Sequence, residues 1–331
     1  MPKNKNKNKG KKESQPVSTS RAKVVEGGEE EVDGSEQLNR LLRKDEDKSV
    51  ALAAMETLYR CLAHSKATTM IGLREELLGC VKRMLSTEHS SASITSASEL
   101  FIRFITLASL DTDSFTQCKK ILLERGQIFL GRASVARQRI AELSVAFIGD
   151  GARILTHSAS RVVLNALLTA HNAGRRFHVY LTQSLPDNSG LGLKRALDEA
   201  GVENTLILDG AVGYVMERVD AVLLGAEGVM ETGGVINKIG SLSIAICAKA
   251  MHKPLYVLAE SFKFLKQFPL SQADIPDAFK YKASTLESGL GVESEHPLVD
   301  YTPADHIKLL FTDLGILTPA AVSDELIKLY L

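Results

Sequence analysis

Residues 152–225 read ARILTHSASRVVLNALLTAHNAGRRFHVYLTQSLPDNSGLGLKRALDEAGVENTLILDGAVGYVMERVDAVLLG. Short apolar runs at 153–156, 177–182, 205–208 and 221–225 alternate with stretches at 161–171, 191–200 and 211–218 whose apolar residues recur at helical spacing. One more pair follows, a helix expected over 239–251 and a strand over 255–259. Strands that alternate with helices need right-handed crossovers, and these produce a parallel sheet covered on both faces. Asn204 and Pro254 stand at strand starts, where a diverted or missing backbone donor is tolerated. The pattern predicts a doubly wound α/β domain over 141–331.

Upstream the texture is helical. Leu38, Leu41 and Leu42 share one helix face, and Val50, Leu52, Met55, Leu58, Tyr59 and Leu62 continue a period near 3.6. The stretches 94–108 and 115–125 read the same way, and the absence of proline from 17 through 185 permits long helices. Residues 36–140 are therefore expected to form an all-helical domain. Residues 1–35 stand apart, Lys/Asn-rich at first and acidic over 26–33. So little apolar surface cannot offset the entropy of ordering, so a disordered tail is expected. At the other end, 309–331 is strongly apolar, and Thr318 before Pro319 reads as the N-cap and first residue of a final, buried helix.

Composition bounds the function classes. The 331 residues include 44% hydrophobic and 24% charged residues at zero formal net charge. That is ordinary for a globular protein and offers no general attraction to nucleic acid or anionic lipid. Cys61, Cys80, Cys118 and Cys247 form no C-x-x-C pair, and no secretory or membrane-spanning apolar run occurs. Reduced thiols in a cytosolic protein are the expectation.

In an open parallel sheet, ligands bind beyond the carboxyl ends of the strands. Candidates are thus Ser158, Ser160 and Arg161 after the first strand, Gln183 and Ser184 after the second, and Asp209 after the third. Glu227 follows the fourth strand, with Asn237 and Lys238 expected to open the next helix, and Glu260 and Ser261 follow the fifth. Serines and an arginine before a helix favour an anion, and the carboxylates Asp209 and Glu227 could accept hydroxyl protons, so the set suits a small phosphorylated, hydroxyl-rich ligand. The plainer alternative is that the serines are N-caps and Gly233-Gly234 a tight turn. No cofactor is indicated: there is no G-x-G-x-x-G after a strand and no Walker loop, and the eight histidines lack zinc spacing. His157 alone reads as structural.

Residues 225–264, GAEGVMETGGVINKIGSLSIAICAKAMHKPLYVLAESFKF, resemble a segment shared by the regulatory subunits of translation initiation factor 2B and the methylthioribose-1-phosphate and ribose-1,5-bisphosphate isomerases. GARILTHSASRVVL (151–164), DGAVGYVME (209–217), EHPLVDY (295–301) and FTDLGILTPAAVSDELIKLYL (311–331) carry the resemblance towards the alpha-type members, from about residue 36 to the end. It implies a Rossmann-like form of the doubly wound domain. It also implies that the isomerases' proton-shuttling cysteine and aspartate fall at Ser158 and Glu227, where this chain departs from both. A serine hydroxyl has a far higher pKa than a thiol, and the longer Glu carboxylate is displaced, so isomerase activity is expected to be lost while ligand binding through Ser160, Arg161, Asn237 and Lys238 survives.

The resemblance further implies a non-catalytic regulatory subunit. It would form a homodimer joined to beta, gamma, delta and epsilon subunits in a guanine-nucleotide exchange factor for initiation factor 2, with exchange catalysed by the epsilon subunit. It would sense factor 2 with a phosphorylated alpha subunit, for which Arg40, Arg43, Lys44, Arg60, Lys66 and Arg74 are candidate contacts beside the plain reading of a solvated helix face. A sugar phosphate or nucleotide monophosphate is the implied small ligand. The alternative is an active isomerase of the same family using another acid–base pair, such as Asp209 with Glu227.

Overall fold

The computed structural model describes residues 33–45, 48–106, 114–280 and 297–330. Residues 1–32 of the expected tail lie outside these, and Gly34 and Ser35 already belong to a helix. Five helices come first: α1 (Gly34–Lys44), α2 (Val50–His64), α3 (Met70–Leu85), α4 (Ser91–Thr106) and α5 (Phe115–Ser144). Their starts follow local chemistry. Asp33, Ser49 and Thr69 accept from the N–H groups of Ser35, Leu52 and Gly72, each satisfying a donor that the first helical turn leaves over. Leu38, Leu58, Leu62, Leu73, Met84 and Phe101 close the core between these helices. Helix α5 runs for 30 residues and packs first on α2 and α4, then on the first helix of the sheet region. The described residues fall in one compact unit.

The main sheet has seven strands. β1 (Ala152–Thr156), α6 (Arg161–Asn172), β2 (Phe177–Thr182), α7 (Ser189–Glu199), β3 (Asn204–Ile207), α8 (Val212–Met216) and β4 (Ala221–Gly225) follow the sequence pattern closely. After them, β5 (Gly228–Met230), β6 (Val235–Lys238), α9 (Ser241–Ala250), β7 (Leu255–Leu258), β8 (Phe264–Leu265), α10 (Asp277–Lys280) and β9 (Val299–Thr302) complete the middle of the chain. β10 (Leu309–Thr312), β11 (Gly315–Leu317) and α11 (Ala321–Tyr330) end it. Strand order is β11-β10-β7-β4-β1-β2-β3, parallel throughout except for the β10–β11 hairpin. The chain winds outward from β1 to β3, then returns to pair β4 with the other side of β1. That reversal is the Rossmann-like switch point, where a crevice opens at the strand ends.

A second, mixed sheet (β8-β5-β6-β9) was not expected. It buries Met230, Ile236, Leu265, Val299 and Tyr301 together with Ala92 of α4, and so joins the sheet region to the helices. Its β5–β6 hairpin turns at Gly233 (φ +81°), where a Cβ would lie 2.2 Å from the Pro319 carbonyl oxygen. Two expectations are corrected here. Asn237 and Lys238 end a strand, because β6 pairs with both β5 and β9, and the helix begins only at Ser241. Thr318 and Pro319 form a turn ahead of α11, their carbonyls accepting from Ala321 and Val322, while 309–317 supplies two strands. Val322 and Leu326 bury the inner face of α11.

Gly190 marks a close approach: a Cβ there would lie 1.9 Å from the Thr182 carbonyl oxygen at the end of β2. Backbone cannot yield as a flexible side chain does. Gly190→Ala is expected to lower stability by about 2–3 kcal/mol, measured by urea unfolding.

Candidate ligand-binding site

A cavity of about 330 Å³ lies over the carboxyl ends of β1 and β4. Three helices begin at its wall: α2 with Ser49, Val50 and Ala51, α4 with Ser90 and Ser93, and α6 with Ser160, Arg161 and Val162. Each helix start carries unsatisfied N–H groups and the positive end of a macrodipole, so three around one space favour a bound anion. Arg137, Arg161, Lys238 and Lys263 add full positive charges, set against Glu88, Glu227 and Glu260. Gly225 allows the close approach of α6 to the end of β4, since a Cβ would sit 2.3 Å from Ser160 Oγ. Ser160 is also the N-cap of α6, its hydroxyl accepting from Val163 N–H at 3.4 Å, so the capping reading and the lining role hold together.

A belt of polar contacts runs around the cavity. Ser158, held at φ +63°, donates its N–H to Ser184 Oγ (2.7 Å) and pairs its hydroxyl with that of Ser189 (2.9 Å). Lys238 lies between Asp187 (3.3 Å) and Glu227 (3.6 Å). Glu227 in turn accepts from the Ser90 hydroxyl at 2.6 Å, and its carbonyl accepts from that of Ser93 at 3.4 Å. Burial works to raise the Asp187 carboxyl, but the Ser189 N–H and hydroxyl and the Lys238 ammonium hold it below the ordinary carboxylate value. Burial likewise opposes ionisation of Glu260, yet Lys263 at 2.9 Å, with Arg137 beyond it, holds that carboxyl low.

Beneath the belt, His157 is buried and neutral. Its Nε2 faces the Ile239 carbonyl (2.9 Å), which accepts and so places the proton there, leaving Nδ1 to accept from the Thr182 hydroxyl (2.6 Å). Burial keeps the imidazole below its usual value despite that carbonyl and the nearby Asp209. Asn237 donates to Ser241 Oγ (2.9 Å), which donates to the Lys238 carbonyl (2.7 Å), so the turn after β6 is braced from within. From outside, Asp300 Oδ2 accepts from Gly240 and Leu242 N–H at 2.8 and 3.1 Å, capping α9 from a neighbouring strand.

Seven of the eleven residues singled out in the sequence line the cavity: Ser158, Ser160, Arg161, Glu227, Asn237, Lys238 and Glu260. Gln183, Ser184 and Ser261 do not, and neither does Asp209. Its two carboxylate oxygens accept from Ser184 and Leu185 N–H, both at 2.9 Å, and hold the segment after β2 in place. The residues that sequence reasoning passed over, Ser49, Ser90, Ser93 and Arg137, come from the helical region. The serine-rich start of α4 was readable as a cap, but not as a wall, because its partner Glu227 lies 137 residues away. A neighbouring cavity of about 390 Å³ lies behind the shared wall of Arg137, Arg161 and Glu260, over apolar Leu52, Leu164, Leu168 and Phe262. Among the described residues no three His, Cys, Asp or Glu side chains group as metal ligands, and no helix is long and apolar enough to cross a membrane.

A doubly wound domain with a polar, anion-favouring crevice at its switch point defines the class, and comparison with known proteins gives the family. The model of the initiation factor 2 subunit family matches residues 43–319. The chain is 46% identical over 293 residues to the Caenorhabditis elegans translation initiation factor eIF2B subunit alpha, covering 88% of this chain and 96% of that one. It is 30% identical over 247 residues to ribose 1,5-bisphosphate isomerase of Archaeoglobus fulgidus, covering 74% of this chain and 77% of the other. The crystal structure of the Pyrococcus horikoshii OT3 translation initiation factor eIF-2B superposes with a TM-score of 0.66 at 26% identity, covering 86% of this chain and 97% of that chain. The chain belongs to the initiation factor 2 subunit family.

Asp300 yields a pH test of the brace around the site. Its burial raises the carboxyl to about 6 from 3.8, against the two N–H groups that lower it, and Oδ1 is buried without a partner among the described residues. A folded-state value above the unfolded one means the contribution to stability is full below pH 3.8 and is lost as pH rises through about 6. Asp300→Asn keeps an acceptor for Gly240 and Leu242 without titrating. Relative to wild type, its unfolding free energy is expected to rise by about 2 kcal/mol between pH 4 and pH 7.5, read from denaturant melts at each pH.

Proposed function

We propose that this chain is a non-catalytic regulatory subunit of the exchange factor for initiation factor 2, with a crevice kept for an anionic regulatory ligand. The observation that carries this reading is the likeness along almost the whole chain to a protein named as the alpha subunit. The chemistry of the crevice supports it. A shuttle of protons between carbon and oxygen needs an acid and a base that exchange protons near neutral pH. In the place where the isomerases carry a thiol this chain has Ser158, whose bonded side-chain neighbour is another hydroxyl, Ser189. A hydroxyl does not activate a hydroxyl. Glu227 is already engaged by Ser90 and Lys238. The alternative pair of Asp209 with Glu227 is disfavoured, because Asp209 faces the Ser184 and Leu185 amides and not the cavity.

The same reading supplies partners. The subunit forms a homodimer and joins beta, gamma, delta and epsilon subunits, and the assembly senses initiation factor 2 whose alpha subunit is phosphorylated, all in the cytosol. The chain then divides into a tail before Gly34, a helical domain to 140 and an α/β domain over 141–331 that carries the dimer contact, with both domains walling the ligand pocket. The crevice takes a sugar phosphate or nucleotide monophosphate: three helix starts and the cationic side chains suit the phosphate, and Glu227 and Asn237 suit hydroxyls.

Affinity isolation from the native cell tests the assembly: four further subunits and initiation factor 2 are expected to co-purify, and isolation of the chain alone would sink the proposal. Thermal-shift titration with ribose 5-phosphate and related phosphates is expected to saturate, and Lys238→Met to weaken the response by about tenfold. Conversion of ribose 1,5-bisphosphate to its ketose by the purified chain would overturn the non-catalytic assignment.

A further inference from the structure

We infer that Asp187 is a built-in competitor for the anionic ligand of the cavity: its carboxylate holds Lys238 until a phosphate displaces it, and the displacement loosens residues 187–189. This rests on the ligand-binding reading of the cavity. In the structure the Lys238 ammonium is 3.3 Å from Asp187 Oδ2 and 3.6 Å from Glu227 Oε1, so its charge is answered by protein carboxylates. The two differ in how they are held. Glu227 is tied to the start of α4 through Ser90 (2.6 Å) and Ser93 (3.4 Å), in the wall of the cavity. Asp187 stands on the connection between β2 and α7, ahead of Ser189, whose N–H it accepts at 2.9 Å.

The contact is weak enough to be exchanged. Both side chains of the Lys238–Asp187 pair are about 30% exposed, and a pair so placed contributes little in water. A phosphate brings more charge than one carboxylate and is further favoured by the helix starts around the cavity. Once Asp187 is displaced, the connection keeps its anchors at Asp209, which holds Ser184 and Leu185, and at the Ser158–Ser189 hydroxyl pair. It loses its tie to β6. Leu185, on this connection, is 52% exposed, so a change in the segment reaches the protein surface.

Asp187→Asn tests this, because the amide oxygen still accepts from Ser189 N–H while the charge is gone. Removing a competing and repelling charge predicts that the variant binds ribose 5-phosphate and inorganic phosphate about three- to tenfold more tightly than wild type by calorimetry, with the gain shrinking at high salt. A residue needed only to shape the segment would have the opposite effect and weaken binding. In hydrogen exchange of the wild-type chain, the amides of 187–189 are expected to exchange faster on adding either probe, and to be faster in Asp187→Asn without it, while Ser184 and Leu185 stay protected by Asp209. Wild-type binding that the variant leaves unchanged or weakens, or slower exchange of 187–189 with probe, overturns the inference alone. Silence of both proteins towards both probes overturns the inference and the reading of the cavity together.

Discussion

Glu227 leaves the end of β4 and points its carboxylate at the start of α4, where Ser90 donates to it at 2.6 Å, with Lys238 on its other side. This contact ties the sheet region to the helical region at the place where the strand order reverses. Beside it, Ala92 of α4 packs on the second sheet, so the start of α4 closes the helical side of the crevice. Helix starts from both regions thus surround one space. A carboxylate at a helix start is itself stabilising, because it meets the positive end of the macrodipole. The residue therefore helps to hold the fold together while it shapes the site.

The same geometry separates what anion binding needs from what proton shuttling needs. Anion binding depends on backbone dipoles and cationic side chains, and these are set by where helices begin. Proton shuttling depends on the pKa of one or two side chains. Ser158 holds the strand-to-helix turn through its hydrogen bonds to Ser184 and Ser189, contacts that call for no thiol. Thiolate reactivity would need a sulfur that this position lacks. Binding and catalysis come apart because they rest on different atoms.

Buried polar groups hold the floor of the site. His157 joins the ends of β1 and β2 to the turn after β6, and Asp300 holds that turn from β9. Gly240 (φ +104°) lets the turn lie against the imidazole, 3.2 Å from where a Cβ would be. Such contacts place Asn237 and Lys238 more rigidly than the end of a short strand would alone.

The strands and helices of residues 152–225 were legible from hydrophobic period alone, since a β2 or an α6 buries one face whatever its partners. The rule that ligands bind beyond the carboxyl ends of parallel strands picked out Ser158, Glu227, Asn237 and Lys238, and resemblance to the family added roles for them. Pairing was not legible. Residues 235–238 became a strand because β5 and β9 lie on either side, and 309–317 became a hairpin on the edge of the main sheet. Nor could the sequence tell that Asp209 faces the Ser184 and Leu185 amides while Ser90 and Arg137, from helices distant along the chain, face the cavity. Periodicity reports which face of an element is apolar, a local property of side-chain transfer out of water. Which elements meet, and which charges then share a cavity, is settled only when the whole core closes.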